Sequence, residues 1–299
     1  MRKRAIALVA PLLAMALAGP SWAETVIEKV ARTGVLTVGN RFDLVPYSYI
    51  DAEGKLVGYS VDIVSRIEAQ LEAELGRDIV VQRREAQGLT ERIPLIASGE
   101  IDLACDTQFT WERDRHVDFS VSYGLSGIRL LTREGSDLGT PESLVGQRIG
   151  VIPNSIGQQV MALVQPRAVL VPLDSLDAAF AALQSGEVAA LAGDSVLLGG
   201  LVAQKGGTDV YELAPAEPYQ RYGIACMVPQ NNSTFLNMVD YAIAGLLQGY
   251  VSGDQQALTT VNQWIGPGGI VPIPQELITR FFEAVLIQRA QVPPTTPTP

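Results

Sequence analysis

The first regular pattern along the chain is a short apolar run followed by an amphipathic segment. Residues 34–39 read Gly-Val-Leu-Thr-Val-Gly, and an apolar run of this length between glycines predicts a buried strand. From Ser60 to Leu75 apolar residues recur every three or four positions, which predicts an amphipathic helix. We expect Ser60 to cap the start of this helix and Gly76 to end it, because a hydroxyl accepts from the free N–H groups and glycine tolerates the left-handed conformation.

The alternation continues beyond this first helix. Residues 78–84 alternate between apolar and polar positions like a strand. A second helix is predicted to open with Pro94 in its first turn and to end at Gly99, and residues 101–105 return to an apolar strand. Strands that alternate with helices predict an α/β layer structure with a mainly parallel sheet.

A second unit of the same kind follows in the middle of the chain. Residues 147–152 predict a strand, Ser155 stands where the next helix should start, and residues 176–183 predict a helix ended by Gly186. Residues 188–193 then predict another strand. In α/β sheets ligands bind at the carboxyl ends of the strands, so we expect the functional residues there.

The N-terminal 23 residues have the composition of a secretory leader. Three cations precede an apolar run of about a dozen residues, and small residues lead to Ala23, so we expect a signal peptide cleaved after Ala23 rather than a membrane span. No cysteine directly follows the apolar run, so no lipid anchor is expected at the new N-terminus. The rest of the chain is expected to be soluble and periplasmic, and residues 291–299, rich in Pro and Thr, are expected to be a disordered tail.

The net charge of the chain limits the kinds of macromolecule that it is expected to bind. Without Arg2, Lys3 and Arg4 of the leader, the 22 basic residues fall to 19 against 32 acidic residues, a net charge of −13. Nucleic acid and anionic membranes are repelled by such a charge, so neither is an expected partner.

The sequence offers little catalytic chemistry. His116 is the single histidine, and no Gly-x-Ser-x-Gly motif accompanies it. No cluster of His, Cys or acidic residues has metal-ligand spacing, and no phosphate-binding glycine loop is found. We therefore predict no enzymatic activity, no metal and no cofactor.

Two cysteines, Cys105 and Cys226, remain after the leader. An even number of cysteines in an oxidising compartment favours a disulfide. Two separate buried thiols are the alternative that the sequence leaves open.

The most informative segment is residues 92–136, RIPLIASGEIDLACDTQFTWERDRHVDFSVSYGLSGIRLLTREGS. A helix ending in Ser-Gly, an Ile-Asp strand, a Thr-x-x-Arg turn and an Asp-Phe-Ser strand follow one another there. This segment resembles the periplasmic solute-binding proteins, family 3, of polar amino-acid ABC transporters, and residues 45–64, 145–157 and 183–198 match further landmarks of the family. Within the family the chain is most similar to the glutamate/aspartate-binding members.

The resemblance implies a particular α/β architecture, the two-lobed type II periplasmic binding protein. Each lobe is a mostly parallel sheet flanked by helices, two strands cross between the lobes, and the ligand lies in the cleft. The matched positions imply a lobe 1 made of residues 24–130 together with 224–290, and a lobe 2 made of residues 131–223. Both cysteines then belong to lobe 1, which is compatible with their bonding.

The resemblance also assigns residues to the backbone groups of a free amino acid. Arg113 matches the arginine whose planar fork binds the ligand's α-carboxylate, and its alternative is a surface arginine. Ser155 matches the hydroxyl residue that opens a helix of lobe 2, and Asp194 matches the acid that receives the α-ammonium; a plain N-cap is the alternative for both. Gln108 and Thr110 are expected to contribute donors beside Arg113.

Three more residues are matched to the rest of the ligand. Tyr47 matches an aromatic residue that packs over the ligand, although Tyr49 alternates with it and one of the two must belong to the core. Arg41 and Arg92 match cations of the acidic-ligand binders. The alternative for Arg41 is that it is a solvated surface residue without a role in binding. An unpaired buried charge costs about 3–5 kcal/mol, so two such cations predict a ligand with a second carboxylate, glutamate or aspartate.

Two differences from the family leave details open. The chain is one residue shorter before Arg113, so the sequence does not decide which of Asp106, Thr107 and Gln108 faces the ligand. Leu176 stands where the glutamate/aspartate binders carry a histidine, which removes one polar contact.

Together these matches imply a periplasmic substrate-binding protein of an amino-acid ABC transporter. It would bind a polar amino acid by closure of its two lobes and deliver it, as a monomer, to the membrane permease. An extracellular sensor input protein and a periplasmic cyclohexadienyl or arogenate dehydratase have the same fold and are the alternatives.

Overall fold

Helices and strands alternate along the chain in the computed structural model, which describes residues 24–288. The predicted leader, residues 1–23, and the predicted tail, residues 291–299, lie outside the described residues. The helices are α1 (Val26–Thr33), α2 (Tyr59–Leu75), α3 (Leu89–Ala97), α4 (Trp111–Asp114), α5 (Ile156–Val164), α6 (Leu176–Ser185), α7 (Ser195–Lys205), α8 (Ser233–Ser252), α9 (Gln255–Ile265) and α10 (Gln275–Gln288). The strands are β1 (Val35–Asn40), β2 (Asp43–Leu44), β3 (Ser48–Ile50), β4 (Leu56–Val57), β5 (Val80–Glu85), β6 (Leu103–Gln108), β7 (Val117–Phe119), β8 (Gly124–Arg133), β9 (Arg148–Val151), β10 (Val169–Pro172), β11 (Ala190–Asp194), β12 (Tyr211–Ala214) and β13 (Gln220–Pro229).

A ten-stranded mixed sheet runs through the described residues in the order β10-β9-β11-β8-β13-β6-β1-β5, with β12 paired to β8 and β7 to β13. The strands β5, β1 and β6 are parallel to one another, and so are β10, β9 and β11. We call β5, β1, β6 and the helices packed on them the first half, and β10, β9, β11 and their helices the second half. The strands β2, β3 and β4 follow β1 along the chain and form a small separate antiparallel sheet.

Two long antiparallel strands connect the halves. In β8 and β13, Gly124 lies opposite Ile224 and Ile128 lies opposite Gln220. Beyond Ile128, β8 pairs with β11 of the second half, whereas β13 continues past Ile224 along β6 of the first half. The connection is therefore built from paired backbone rather than from a flexible linker.

Apolar side chains from helices cover both faces of each half. In the first half Ile67 of α2, Phe235 of α8 and Phe282 of α10 pack in one core on the sheet, and Ile96 of α3 packs in another. In the second half the residues of α6 and α7 form one core and those around Met161 of α5 form the other. These layers confirm the predicted α/β structure. Within residues 24–288 no helix has both the length and the apolarity needed to cross a membrane.

Two predicted helix starts are wrong. Helix α2 begins after Gly58, and Ser60 is a fully buried residue whose hydroxyl forms a 2.6 Å hydrogen bond with the hydroxyl of Tyr123. Helix α3 begins at Leu89, so Pro94 lies inside it. Proline is tolerated there because the carbonyl that loses its donor belongs to Thr90, which lies on the surface.

Cys105 and Cys226 form a disulfide with an S–S distance of 2.09 Å. The bond joins β6 to β13, which are antiparallel neighbours with Thr107 opposite Ala225 and Ala104 opposite Met227. The predicted disulfide is thereby confirmed over the alternative of two thiols.

Candidate functional site

Arg41 follows β1 at the carboxyl end of the strand. Its Nε and Nη2 atoms donate to the two carboxylate oxygens of Asp43, both at 2.9 Å, and its side chain is 25 % exposed. Two parallel N–H···O bonds satisfy the planar fork of a guanidinium well. The predicted reader of the ligand side chain is therefore already paired with a carboxylate of its own loop.

Arg92 lies on α3 and is almost fully buried. Its Nη1 atom donates a 2.7 Å hydrogen bond to the carbonyl of Cys105 and lies 3.6 Å from Oδ2 of Asp106. Its Nε atom has no acceptor among residues 24–288. Burial lowers the pKa of the Arg92 guanidinium, and the Asp106 carboxylate opposes that shift.

The three residues that the sequence left open have different surroundings. The hydroxyl of Thr107 is buried and donates to the carbonyl of Cys105 at 3.3 Å, and the side chain of Gln108 accepts from Arg113 at 3.3 Å. Asp106 has a left-handed backbone, with φ +65°, and its carboxylate is 1 % exposed. Neither of its oxygens accepts a hydrogen bond from the described part of the chain. Burial raises the pKa of Asp106.

The expectation that Arg41 and Arg92 would be unpaired cations is wrong. Asp43 pairs with Arg41, and Asp106 lies beside Arg92. The sequence argument counted the basic residues and left out the acids that the turns after β1 and β6 bring to them. A second carboxylate on the ligand is therefore not required to balance these two charges.

Arg113 differs from the other two arginines. It lies on the short helix α4, where the hydroxyl of Thr110 caps the helix by accepting from the Arg113 N–H at 3.3 Å. The Nη1 atom of Arg113 donates to the backbone carbonyl of Gln108 at 2.8 Å and more weakly to its side chain. No carboxylate of the described residues lies within 4.0 Å of its guanidinium. Burial lowers the pKa of Arg113, so this half-buried cation is the one that most needs an anionic partner.

In the second half, Ser155 opens helix α5 as predicted. Its hydroxyl accepts from the N–H of Gln158 at 3.1 Å, which is the bond of an ordinary N-cap. The backbone of Gly157 lies against β11, since a Cβ atom there would be 3.0 Å from the carbonyl oxygen of Ala192. The start of α5 is thus held close to the sheet, with its N–H groups at the carboxyl end of β9.

Asp194 ends β11 and caps helix α7. Its Oδ1 atom accepts from the N–H groups of Val196 and Leu197 at 2.9 and 3.0 Å and from the hydroxyl of Ser126 at 2.7 Å. Its Oδ2 atom accepts from the hydroxyl of Tyr222 at 2.7 Å. Burial raises the pKa of Asp194, and these donors oppose the shift. Oδ2 takes one of these bonds and retains acceptor capacity for a cation.

The two tyrosines that precede α2 have different surroundings. Tyr47 is buried, and its hydroxyl has no hydrogen-bond partner in the described range. Tyr49 is half-buried and packs edge-on against Trp264, with ring centroids 6.3 Å apart. Tyr49 therefore belongs to the packing against α9, and Tyr47 is the one that belongs to the main core of the first half, so its contact with a ligand stays a prediction.

The groups that raise the pKa of the Tyr47 hydroxyl show which side chains lie near it. Burial raises the pKa of the Tyr47 hydroxyl, and Asp194, Tyr123, Tyr222 and Asp106 raise it further. Asp194 comes from the second half and Asp106 from the first, so acids of both halves act on one hydroxyl. Arg92 in turn lies close enough to Arg113 to lower the pKa of that residue. The hydroxyl of Ser155, by contrast, makes its hydrogen bond inside its own helix.

Arg41 lies at the edge of this group. It lines a cavity of about 420 Å³ together with Asp43 and with Leu176 at the start of α6. The cavity also borders Asp177 and Lys205, which form a 2.7 Å ion pair. Residues of both halves line it, and Leu176 contributes an apolar side chain to the lining.

The sequence analysis missed Ser126 and Tyr222. These two residues lie directly opposite each other on β8 and β13 and both donate to Asp194. The local sequence does not set these two residues apart, since β8 also buries Thr132 and β13 begins with Gln220 and Arg221. Among the described residues no group of three or more His, Cys, Asp or Glu side chains is arranged to hold a metal ion.

Comparison with known proteins gives consistent matches. The model of the bacterial extracellular solute-binding proteins, family 3, matches residues 36–266. A glutamate/aspartate import solute-binding protein of Salmonella typhimurium is 28% identical over 277 residues, which cover 91% of this chain and 88% of that protein. A glutamine-binding protein of Geobacillus stearothermophilus is 31% identical over 197 residues, which cover 64% of this chain and 74% of that protein.

The fold is matched by solved structures as well. An ancestral arginine-binding protein bound to glutamine is 25% identical to the chain and superposes with a TM-score of 0.64. The match covers 78% of this chain and 98% of that one. The relatives thus bind amino acids with acidic, amide and basic side chains.

Proposed function

We propose a transport role for this chain, which belongs to the bacterial extracellular solute-binding proteins, family 3. Its fold is the predicted type II periplasmic binding protein fold, a mostly parallel α/β sheet in two halves with two connecting strands. The protein captures a free polar amino acid in the periplasm and delivers it to the membrane permease of an ABC transporter. It acts as a monomer and without enzymatic activity.

One pair of residues carries this proposal, Arg113 and Asp194. Arg113 is a half-buried guanidinium without an acidic partner among the described residues, and Asp194 is a buried carboxylate with a free acceptor position. An α-carboxylate and an α-ammonium must both find partners when they leave water. Arg113 complements the first and Asp194 the second, so the two charges that every free amino acid carries are balanced.

Gln108, Thr110 and Ser155 support the α-carboxylate in this proposal. Gln108 and Thr110 fix the position of Arg113 through their hydrogen bonds to it. The start of α5 behind Ser155 supplies N–H groups from the other half. A carboxylate that bridges Arg113 and the α5 N-terminus draws the two halves together, which favours the closed state on ligand binding.

We divide the described chain into the lobes that the sequence analysis predicted. Lobe 1 comprises residues 24–130 and those from 224 onwards, and lobe 2 comprises residues 131–223. The grouping of the apolar cores supports this division, since α6 and α7 share one core with Leu131 and the core around Met161 draws on residues from 130 to 192. Two buried residues of these cores cross the boundary, because Leu130 packs in the core around Met161 and Val196 packs in the main core of lobe 1.

For the ligand side chain we propose glutamate or aspartate. The relatives from Salmonella typhimurium and Pseudomonas aeruginosa that bind glutamate and aspartate match 91% of the chain each. Arg41 and Arg92 supply guanidinium groups near the site, and Tyr47 packs over the ligand. Such a ligand has to compete with Asp43 or Asp106 for these arginines.

Calorimetric titration of the ligand-free protein tests the proposal. Glutamate, aspartate, glutamine, asparagine, histidine and arginine are titrated separately at neutral pH. We expect tight binding of glutamate or aspartate. Binding of arginine or histidine without glutamate or aspartate contradicts the proposed ligand, and failure of all six to bind contradicts the proposed capture of a polar amino acid.

A further inference from the structure

The carboxylate of Asp106 can accept further hydrogen bonds. Its side chain is 1 % exposed, and no donor of residues 24–288 makes a hydrogen bond of good geometry to either Oδ atom, although the Ser60 hydroxyl lies close enough to lower the pKa of the carboxyl. The guanidinium of Arg92 lies 3.6 Å away, beyond the 2.7–2.9 Å that is typical of a charge-assisted hydrogen bond. A buried carboxylate without hydrogen bonds is costly, so this group gains from binding a proton or a better donor.

Arg92 is incompletely satisfied as well. One of its nitrogen atoms donates to the carbonyl of Cys105, while its Nε atom has no acceptor in the described part of the chain. A guanidinium with free donors can bind an incoming carboxylate in the bidentate manner that Asp106 does not achieve. The Arg92–Asp106 pair is therefore a loose pair that a ligand can displace.

We propose that Asp106 is a specificity-determining residue that competes with the side-chain carboxylate of the ligand for the guanidinium of Arg92. The inference rests on the amino-acid-binding function proposed above. While Asp106 is ionised it neutralises Arg92, and the site favours a neutral polar side chain such as an amide. When Asp106 carries a proton its charge is gone, and Arg92 binds the carboxylate of a glutamate ligand.

The groups around Asp106 decide its protonation. Burial raises the pKa of Asp106, while Arg92 on α3, the Ser60 hydroxyl on α2 and Arg41 at the end of β1 stabilise the carboxylate and oppose that shift. Arg41 is itself paired with Asp43. The hydroxyl of Tyr123 accepts from the Asp106 N–H at 2.9 Å, and the Ser60 hydroxyl of α2 is bonded to that same tyrosine.

A carboxylate ligand changes this balance. Tyr47 and Asp194 lie in the same group, and Asp194 already holds one negative charge there. A further carboxylate beside Arg92 repels Asp106, and like charges in one site raise the pKa of one of them. Glutamate therefore binds with uptake of a proton by Asp106, whereas glutamine binds without it.

The variant Asp106→Asn separates charge from shape. Asn is one of the few residues that tolerate a positive φ, so the backbone at φ +65° is preserved. Its side chain has the shape of protonated Asp. Glu100→Gln is the matched control, because it removes an exposed carboxylate that pairs with Arg84 at 3.0 Å in the same half of the sheet.

The experiment is calorimetric titration of the full mature protein with glutamate and glutamine at about pH 5.5 and 7.5. We expect Asp106→Asn to raise the preference for glutamate over glutamine by about tenfold or more at the higher pH, and Glu100→Gln to leave it unchanged. In the unsubstituted protein lower pH shifts the preference towards glutamate, and this shift is absent from Asp106→Asn.

Four results overturn the inference. The same glutamate-to-glutamine ratio in Asp106→Asn and in the unsubstituted protein excludes competition for Arg92. If the preference for glutamate still changes with pH in Asp106→Asn, a titrating group other than Asp106 causes that change. If the titration of the six amino acids described above shows binding of arginine or histidine alone, the Arg92 subsite is excluded while the transport role stands. If none of the six binds, the proposed function fails and this inference fails with it.

Discussion

The hydroxyl of Tyr222 donates a 2.7 Å hydrogen bond to Oδ2 of Asp194 and so joins the connecting strand β13 to the start of α7. Ser126, directly across from Tyr222 on β8, donates to the other oxygen of the same carboxylate. Both connecting strands are thus bonded to one buried acid of the second half. The carboxylate proposed to bind the ligand ammonium is held by the same strands that link the two halves.

Tyr222→Phe removes the hydroxyl that donates to Asp194 and leaves the ring in place. A buried carboxylate that loses a hydrogen bond is destabilised, so we expect the free energy of unfolding to fall by about 1–3 kcal/mol. Urea unfolding at neutral pH measures the change. Tyr219→Phe is the matched control, because the Tyr219 hydroxyl has no hydrogen-bond partner among the described residues. Equal losses in the two variants contradict the stabilising role of Tyr222.

Asp194→Asn tests the ammonium site and the pH dependence together. Removing the charge is expected to weaken amino-acid binding by about 2–5 kcal/mol, because the ligand ammonium is left without an anion. Titration calorimetry measures this loss. An undiminished affinity contradicts the assignment of Asp194.

The stability of the same variant depends on pH in a defined direction. Burial raises the pKa of Asp194 in the folded protein above the value of about 3.9 expected for the unfolded chain. The folded state then holds the proton more tightly, so the contribution of Asp194 to the free energy of unfolding increases as the pH falls from the folded pKa towards the unfolded one. Urea unfolding at several pH values should show that the unsubstituted protein gains stability over this interval relative to Asp194→Asn. A change of opposite sign indicates a lowered pKa.

Arg113→Lys keeps the positive charge and removes the planar fork. A lysine cannot make two parallel bonds to a carboxylate, so we expect amino-acid affinity to fall by about 1.5–3 kcal/mol. Arg115→Lys, at an exposed position two residues along, is the control and should bind as the unsubstituted protein does. Circular dichroism checks that both variants are folded. Equal affinity in the two variants returns Arg113 to an ordinary surface arginine.

The local signals in the sequence predicted most of the fold and part of the site. Ser155 and Gly186 begin and end helices as expected, because caps depend on the residue itself and its near neighbours. Ser60 failed because burial against Tyr123, 63 residues away in the chain, decided its role instead of the helix start. Tertiary contacts of this kind are not visible in a local pattern.

The charged residues around the site show the same difference between local sequence signals and tertiary contacts. Arg41 and Arg92 were identified as cations near the ligand, but their acidic neighbours were not. Asp106 comes to Arg92 because its backbone is left-handed and because α3 packs against β6, and neither feature can be read from the spacing of the two residues. Counting cations alone therefore overstated the need for an acidic ligand.

The disulfide between Cys105 and Cys226 offers a stability test beside the site. The bond closes a loop of 121 residues, and a cross-link over so long a loop restricts the unfolded chain strongly. We expect the double variant Cys105→Ala/Cys226→Ala to lose about 2–5 kcal/mol of unfolding free energy. Urea unfolding of the oxidised protein, the reduced protein and the variant measures it. If reduction leaves the stability of the unsubstituted protein unchanged, the bond contributes nothing to it.

Helix α7 approaches the first half of the protein so closely that Gly200 leaves no room for a side chain. A Cβ atom at this position would lie 2.2 Å from the carbonyl oxygen of Val45. In the same helix, Val196 is buried in the main core of the first half. These contacts join the two lobes that we propose to open and close around the ligand.

Gly200→Ala should therefore oppose the closed arrangement without disturbing either lobe. We propose that the contact between α7 and Val45 belongs to the closed state, so a methyl group at position 200 penalises that state and is expected to weaken amino-acid binding at least about tenfold. Gly245→Ala in α8 is the control, since a Cβ atom there meets nothing within 4 Å. Small-angle X-ray scattering with saturating ligand should show less compaction for Gly200→Ala than for the control. If both variants bind and compact equally, α7 does not approach Val45 in the ligand-bound protein, and the lobes close along a different contact.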